Sequence, residues 1–284
     1  MSAFYFSNLP AVDLPEVGKH KPHFEITPAL KIHYRDHNPH GSPAVLLLHG
    51  LGATGDSWLM QIPTLVKAGY RVIAPDARGF GKSTYPGGGM SISDMAADMA
   101  ALLQQAGITC AHIVGISMGG TLALQLALDH AELVHKLVLV NTFASLKPDS
   151  ASHFFYFLLR LILVHGLGVP AQAGAVTRRI FPHPGQEELR QQLHDQIIQS
   201  NPRAYRGVMR SLALFDVVDR LGEIRAPTLV VTGENDTTVA PQRQRLMMES
   251  IPNSRQVVIT DAGHAVTADQ YEAFNRAMVN FLQG

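Results

Sequence analysis

The sequence predicts an α/β fold, a mostly parallel central sheet flanked by helices, and three observations carry that reading. Short runs rich in Val, Ile and Leu, continuously apolar, recur along the chain, as strands buried on both faces require. Segments of helical period stand between them. The alternation breaks once, over residues 143–222, where apolar helical patterns continue without a convincing buried strand.

Taken in chain order, Phe24–Thr27 and Leu30–Arg35 flank Pro28 and predict an initial antiparallel hairpin. The buried strands are expected at Val45–His49, Tyr70–Pro75, Ala111–Gly115, Leu137–Asn141, Thr228–Gly233 and Gln256–Thr260. Helices are expected at Trp58–Lys67, Ser91–Gln105, Met118–Asp129, Pro241–Glu249 and Ala268–Leu282. Gly69 and Gly107 follow two of these, as helix-ending residues should. In the irregular region, SASHFFYFLLRLILVHGLG, QEELRQQLHDQIIQS and PRAYRGVMRSLALFDVVDRL read as helices punctuated by Pro170, Pro182, Pro184 and Pro202. Residues 143–222 are therefore expected to form a helical cap inserted between two strands, with 1–142 and 223–284 as the core.

With 284 residues, 46% hydrophobic and 16% charged, the chain can bury a sizeable core. Its formal net charge is zero and its charges are well mixed, so neither nucleic acid nor an acidic membrane is an expected partner. The N-terminus lacks the basic, apolar and small-residue order of a signal peptide. The longest apolar segment, Phe154 to Val164, is interrupted by Arg160 and too short to span a bilayer. A cytoplasmic location is the expectation. The single cysteine, Cys110, rules out an internal disulfide and is expected as a buried, inert thiol at a strand start. The sequence leaves the oligomeric state open, a homo-oligomer included.

The stretch Gly115-Ile116-Ser117-Met118-Gly119-Gly120 admits three readings. A dinucleotide fingerprint needs glycine where Ser117 stands and an acid where Asn141 stands, so it fails on both counts. A second phosphate candidate, Gly79-Phe80-Gly81-Lys82-Ser83, ends like a Walker A loop. It has Asp76 where the first glycine belongs, and a carboxylate there repels phosphate. The third reading is G-x-S-x-G between a strand and a helix. Glycine at 115 and 119 relieves the crowding around a strained serine, which is held above the sheet at a helix N-terminus.

A serine nucleophile needs an imidazole base, and the base needs a carboxylate to fix its tautomer. Glu234-Asn235-Asp236 follows one late strand and Asp261-Ala262-Gly263-His264 follows the next. The order Ser117, Asp236, His264 and the placement at strand ends match what that chemistry requires. Glu234 and, less well placed, Asp261 are the rival acids.

These motifs, together with His49-Gly50-Leu51-Gly52 through Trp58, Asp76-Ala77-Arg78-Gly79-Phe80-Gly81-Lys82-Ser83 and Pro227–Asp236, resemble the α/β-hydrolase superfamily. The likeness is to its capped serine esterases and lactonases and runs from about residue 22 to the C-terminus. It implies Ser117 as nucleophile, His264 as general base, Asp236 as acid, and an oxyanion hole built from the backbone N–H groups of Leu51 and Met118. In some related enzymes the acid follows the strand that here ends at Asn141, and an asparagine cannot serve.

Asp76 and Arg78 are expected to be structural. His33, His37 and His40 fall in a strand and a turn, so no metal is expected there, and no cofactor is required. Phe154–Phe155 and Leu161–Ile162 either line an acyl pocket or pack the cap. The implied substrate is a small to medium uncharged carboxylic ester, although Arg160, Arg178 or Arg206 could reach an anionic one. An enol-lactonase, a carbon–carbon bond hydrolase, a perhydrolase or a non-turnover small-molecule receptor would share the same residues. Ala265-Val266 after the histidine, in place of a tryptophan, argues against the carbon–carbon hydrolases. Haloalkane dehalogenases and epoxide hydrolases use an aspartate where this chain has Ser117.

Overall fold

The apolar runs become eight strands: β1 (His23–Thr27), β2 (Leu30–His37), β3 (Ala44–Leu48), β4 (Arg71–Pro75), β5 (Ala111–Ile116), β6 (Val134–Val140), β7 (Thr228–Gly233) and β8 (Ser254–Ile259). They form one sheet in the order β1-β2-β4-β3-β5-β6-β7-β8. The β1–β2 and β2–β4 pairs are antiparallel and every other pair is parallel. This computed structural model describes residues 23–88, 90–147, 155, 158, 159 and 162–284. The N-terminal segment, Phe154, Arg160 and Leu161, singled out above, lie outside the described residues.

Side chains alternate across each strand, so the apolar runs feed two cores, one on each face of the sheet. Leu46, Leu48, Ile113, Leu137 and Leu139 pack on helices α2 (Ile92–Gln105) and α3 (Met118–Asp129). Val45, Leu47, Val114, Val138 and Val140 pack on Trp58, on Ile62 and Leu65 of α1 (Ile62–Lys67), and on Phe274 and Met278 of the C-terminal helix. Helix α3 is buried almost all round, which is why its sequence is apolar on every face. A capping box, with Ser91 and Asp94 each bonding the other's backbone N–H, starts α2.

Several boundaries differ from the sequence expectation. Trp58 ends a 3-10 turn, Gly55–Trp58, and α1 begins only at Ile62, with Pro63 in its first turn, where a missing N–H costs nothing. The C-terminal helical pattern splits into the turn Val266–Asp269 and the helix Tyr271–Gln283, because Gln270 leaves helical geometry. Cys110 is exposed, contrary to expectation, because it stands one residue before β5 and outside the sheet's cover. Partial desolvation pushes its thiol pKa up.

Between β6 and β7 run α4 (Gly168–Ile180), α5 (Glu187–Gln199) and α6 (Pro202–Leu214). The chain enters and leaves this region side by side, through a Ser145–Asp216 antiparallel bridge and a Val217 N–H to Ala144 carbonyl bond of 3.0 Å. Among the described residues, no helix is long and apolar enough to cross a membrane.

Register puts the functional segments on one edge. Leu48 pairs with Gly115, Ile116 with Val140, Val140 with Val231, and Gly233 with Ile259. The residues just past those strand ends are His49, Ser117, Asn141, Glu234 and the loop that leads to His264. They meet at the carboxyl edge of the sheet, where open α/β sheets hold ligands.

Candidate active site

Ser117 joins β5 to α3 with φ 54 and ψ −116, a backbone conformation that costs a non-glycine residue about 1–3 kcal/mol. Tight packing enforces it. A Cβ on Gly115 would lie 2.2 Å from the Gly119 carbonyl oxygen, and one on Gly119 would lie 2.0 Å from that of Leu48. The Ser117 peptide is held from both sides. Its N–H donates to Val140 O at 3.0 Å, and its carbonyl accepts from Gly120 N, Thr121 N and the Thr142 hydroxyl, the last at 2.6 Å. The serine side chain, half-buried, faces a cavity of about 200 Å³.

His264, from the loop after β8, lines the same cavity. Its Nδ1 lies 3.0 Å from Asp236 Oδ2, and both side chains are buried. The other carboxylate oxygen of Asp236 accepts Thr238 N–H at 2.7 Å and Val239 N–H at 3.1 Å. This arrangement leaves Nε2 as the imidazole nitrogen able to serve a hydroxyl. Among the described residues no hydrogen bond joins the Ser117 hydroxyl to the His264 ring; such contacts often tighten only with substrate bound. Glu234 is exposed and accepts the N–H of Asp261 at 3.1 Å, so neither rival acid is the one on the imidazole.

The expected N–H donors sit beside the serine. A Cβ on Gly50 would be 3.8 Å from Ser117 Cβ, which places the Gly50-Leu51 turn against the nucleophile position. Among the described residues, the Leu51 and Met118 N–H groups have no hydrogen-bond acceptor. His49 fixes the turn: Nε2 accepts Ala77 N–H at 2.9 Å, so Nδ1 carries the proton donated to Gly50 O at 2.8 Å. Burial lowers its pKa and keeps it neutral.

Asp76 is structural, as expected. It accepts Gly55 N–H at 2.8 Å, Lys82 N–H at 3.0 Å and His33 Nδ1 at 3.0 Å, with Arg35 at 3.6 Å. Burial pushes its carboxyl pKa up, but these hydrogen bonds outweigh burial and hold it at about 2. Arg78 pairs with Asp98 through two bonds of 2.5 Å, tying the same loop to α2. Among the described residues, no group of three His, Cys, Asp or Glu side chains is arranged to hold a metal ion.

The cavity walls are mainly apolar: Leu51, Leu59 and Met60 on one side, and Val176, Ile180, Leu189 and Leu193 from α4 and α5 on the other. Asp56 and Arg179 bring the charges among the lining residues. Burial raises the Asp56 pKa against its pairing with Arg35 at 2.5 Å. Arg178 and Arg206, expected as possible reach into the site, do not line the cavity. Arg179 does, because it shares a helix face with Val176 and Ile180, and it donates to Thr237 O. Phe155 and Ile162 are exposed and do not line the cavity; Phe143 and Leu146 do.

Two contributors escaped the sequence reading. Asn141 donates to Gly263 O at 2.9 Å and His264 O at 2.8 Å, and accepts Gly233 N–H at 2.8 Å. Asp269 accepts Gly263 N–H at 2.8 Å, its pKa raised by burial. The position of Asn141 at a strand end was the one available signal for it; Asp269 had none.

Comparison with known proteins identifies the fold. The family model described as alpha/beta hydrolase fold matches residues 43–270. A protein of Variovorax paradoxus (strain S110) named "Putative carbamate hydrolase RutD" is 34% identical, over 89% of this chain and 96% of its own length. The enol-lactonase from Burkholderia xenovorans LB400 superposes with a TM-score of 0.84 at 27% identity, over 93% of this chain and 100% of that one. The esterase EaEST from Exiguobacterium antarcticum does so with a TM-score of 0.85 at 26% identity, also over 93% and 100%.

Proposed function

The chain belongs to the α/β-hydrolase fold family, and on that premise we propose that it is a serine hydrolase of small to medium uncharged carboxylic esters, working through an acyl-enzyme on Ser117. One observation carries the proposal: the strained Ser117 and His264, whose ring is paired with the buried Asp236, line one cavity. In the proposed reaction, His264 Nε2 removes the hydroxyl proton as Ser117 Oγ attacks the carbonyl carbon. The Leu51 and Met118 N–H groups take up the charge on the tetrahedral oxygen. The C–O bond to the alcohol then breaks, and the alcohol leaves with the proton from His264. Water attacks the acyl-enzyme by the same route and frees the acid. Asp236 holds the ring tautomer and stabilises the imidazolium.

In this reading α4, α5 and α6 act as a cap over the serine, and their apolar side chains set the size and polarity of the acyl group admitted. The protein works without a cofactor.

A second reading, carbamate hydrolysis, is favoured by the name of the 34%-identical relative. It uses the same serine, with a carbamoyl-enzyme in place of the acyl-enzyme. A panel of p-nitrophenyl esters of rising chain length, an aryl carbamate and an enol-lactone separates these readings. The proposal expects ester turnover highest at short to medium chains and lost in Ser117→Ala. A folded protein inert to every ester overturns it, and carbamate turnover alone selects the second reading. Slow single-turnover labelling with tight ligand retention selects a receptor.

A further inference from the structure

We propose, resting on the acyl-transfer reading above, that Val140-Asn141-Thr142 is a positioning device that sets the placement of nucleophile, acid and base together, with the Asn141 amide as its central part. Asn141 is completely buried, lies one residue past β6 and has φ 42, a left-handed conformation that asparagine tolerates better than most residues. Its side chain makes three hydrogen bonds, using both donors and the oxygen. The two Nδ2 protons go to the Gly263 and His264 carbonyls, and Oδ1 takes the Gly233 N–H at the root of the loop that carries Asp236.

The flanking residues hold the serine. Val140 O accepts the Ser117 N–H at 3.0 Å, and the Thr142 hydroxyl donates to the Ser117 carbonyl at 2.6 Å. Three consecutive residues therefore grip the nucleophile's peptide on one side, and the base's peptide and the root of the acid's loop on the other. Two donors and an acceptor in one short planar group describe an asparagine side chain. Aspartate would set a carboxylate against two carbonyl oxygens, and alanine would leave those carbonyls without their donors. None of these contacts reaches substrate, so the role is positioning. A shift of about 1 Å between reacting groups costs about 10²-fold in rate.

The test compares Asn141→Ala, Thr142→Val and Thr142→Ser with the wild type in kcat, KM, fluorophosphonate labelling rate and melting temperature. In folded Asn141→Ala the expected result is a fall in kcat of about 10- to 100-fold. Labelling should slow by a similar factor, and KM should stay within about twofold of wild type. Thr142→Val, which loses only the hydroxyl, should show the same pattern, and Thr142→Ser should recover rate relative to it. Where Asn141→Ala does not fold, the Thr142 pair decides. Folded variants with lower melting temperature but wild-type kcat and labelling, or with raised KM and unchanged kcat, overturn the inference. If Ser117→Ala abolishes turnover while these variants remain fully active, the inference falls and the acyl-transfer reading stands. If Ser117→Ala keeps its turnover, both fall.

Discussion

The Nδ1 atom of His264 lies 3.0 Å from Oδ2 of Asp236, a carboxylate whose side chain has no exposed surface. Two backbone N–H groups hold the other oxygen, so the carboxylate cannot turn away from the ring. Asp236→Asn is expected to lower kcat by about 10³- to 10⁴-fold by favouring the wrong imidazole tautomer. Glu234→Gln and Asp261→Asn should leave kcat near wild type, because both residues are exposed and the Glu234 carboxylate accepts the Asp261 backbone N–H, away from the imidazole. Steady-state kinetics on the three variants checks the assignment, and a large loss in Glu234→Gln contradicts it.

The crowding at the serine turn has a measurable consequence. Gly119→Ala should destabilise the protein by about 3 kcal/mol, since its methyl would meet the Leu48 carbonyl at 2.0 Å. Gly222→Ala, where nothing lies within 4 Å, should change stability by less than about 0.5 kcal/mol. Urea denaturation of both variants makes the comparison.

Asp76 links the chain before the Gly55 turn to the Lys82 loop. Asp76→Asn should cost about 3–5 kcal/mol, the usual penalty for breaking a buried ionic cluster. The wild-type carboxyl, held at about 2, stabilises the fold above the unfolded value of about 4. That contribution is lost as pH falls from there through the folded value. Acid titration of stability should therefore show a component between those limits that Asp76→Asn lacks.

A milder acid effect comes from the opposite end of the sheet. Burial first, then His135 and Lys136, lower the His112 pKa to about 4. The unfolded imidazole takes its proton near pH 6.5, so between those values the unfolded chain binds a proton that the folded one refuses. Stability should fall as pH drops through that window and level off below it. His112→Phe should flatten the slope without abolishing it, since buried His49 acts in the same direction. An unchanged slope contradicts this account.

The sheet, its helical layers and the Ser117, Asp236 and His264 positions were legible because each rests on a local pattern. Apolar runs mark strands, G-x-S-x-G marks a crowded turn, and an acid and Gly-His follow two late strands. What escaped depends on long-range contact. Asn141 bonds residues more than 90 positions away, and beyond its place at a strand end nothing in its neighbourhood signals this. Read alone, Asn141 counted only as a position that could not be the acid. Arg179 rather than Arg178 entered the cavity because helix phase decides it, and one residue turns a side chain by about 100°. Cys110 was misplaced because β5 begins at Ala111, as expected, and the residue before it lies outside the sheet's cover.

The most direct measurement is the mass of the protein during turnover of a slowly deacylating activated ester, followed by mapping of the modified peptide. The account predicts a transient gain equal to the acyl group, carried on Ser117, with a burst of released alcohol. It also predicts no adduct, and turnover lower by about 10⁴-fold or more, in Ser117→Ala. Undiminished turnover in that variant, or an adduct on another residue, would contradict it.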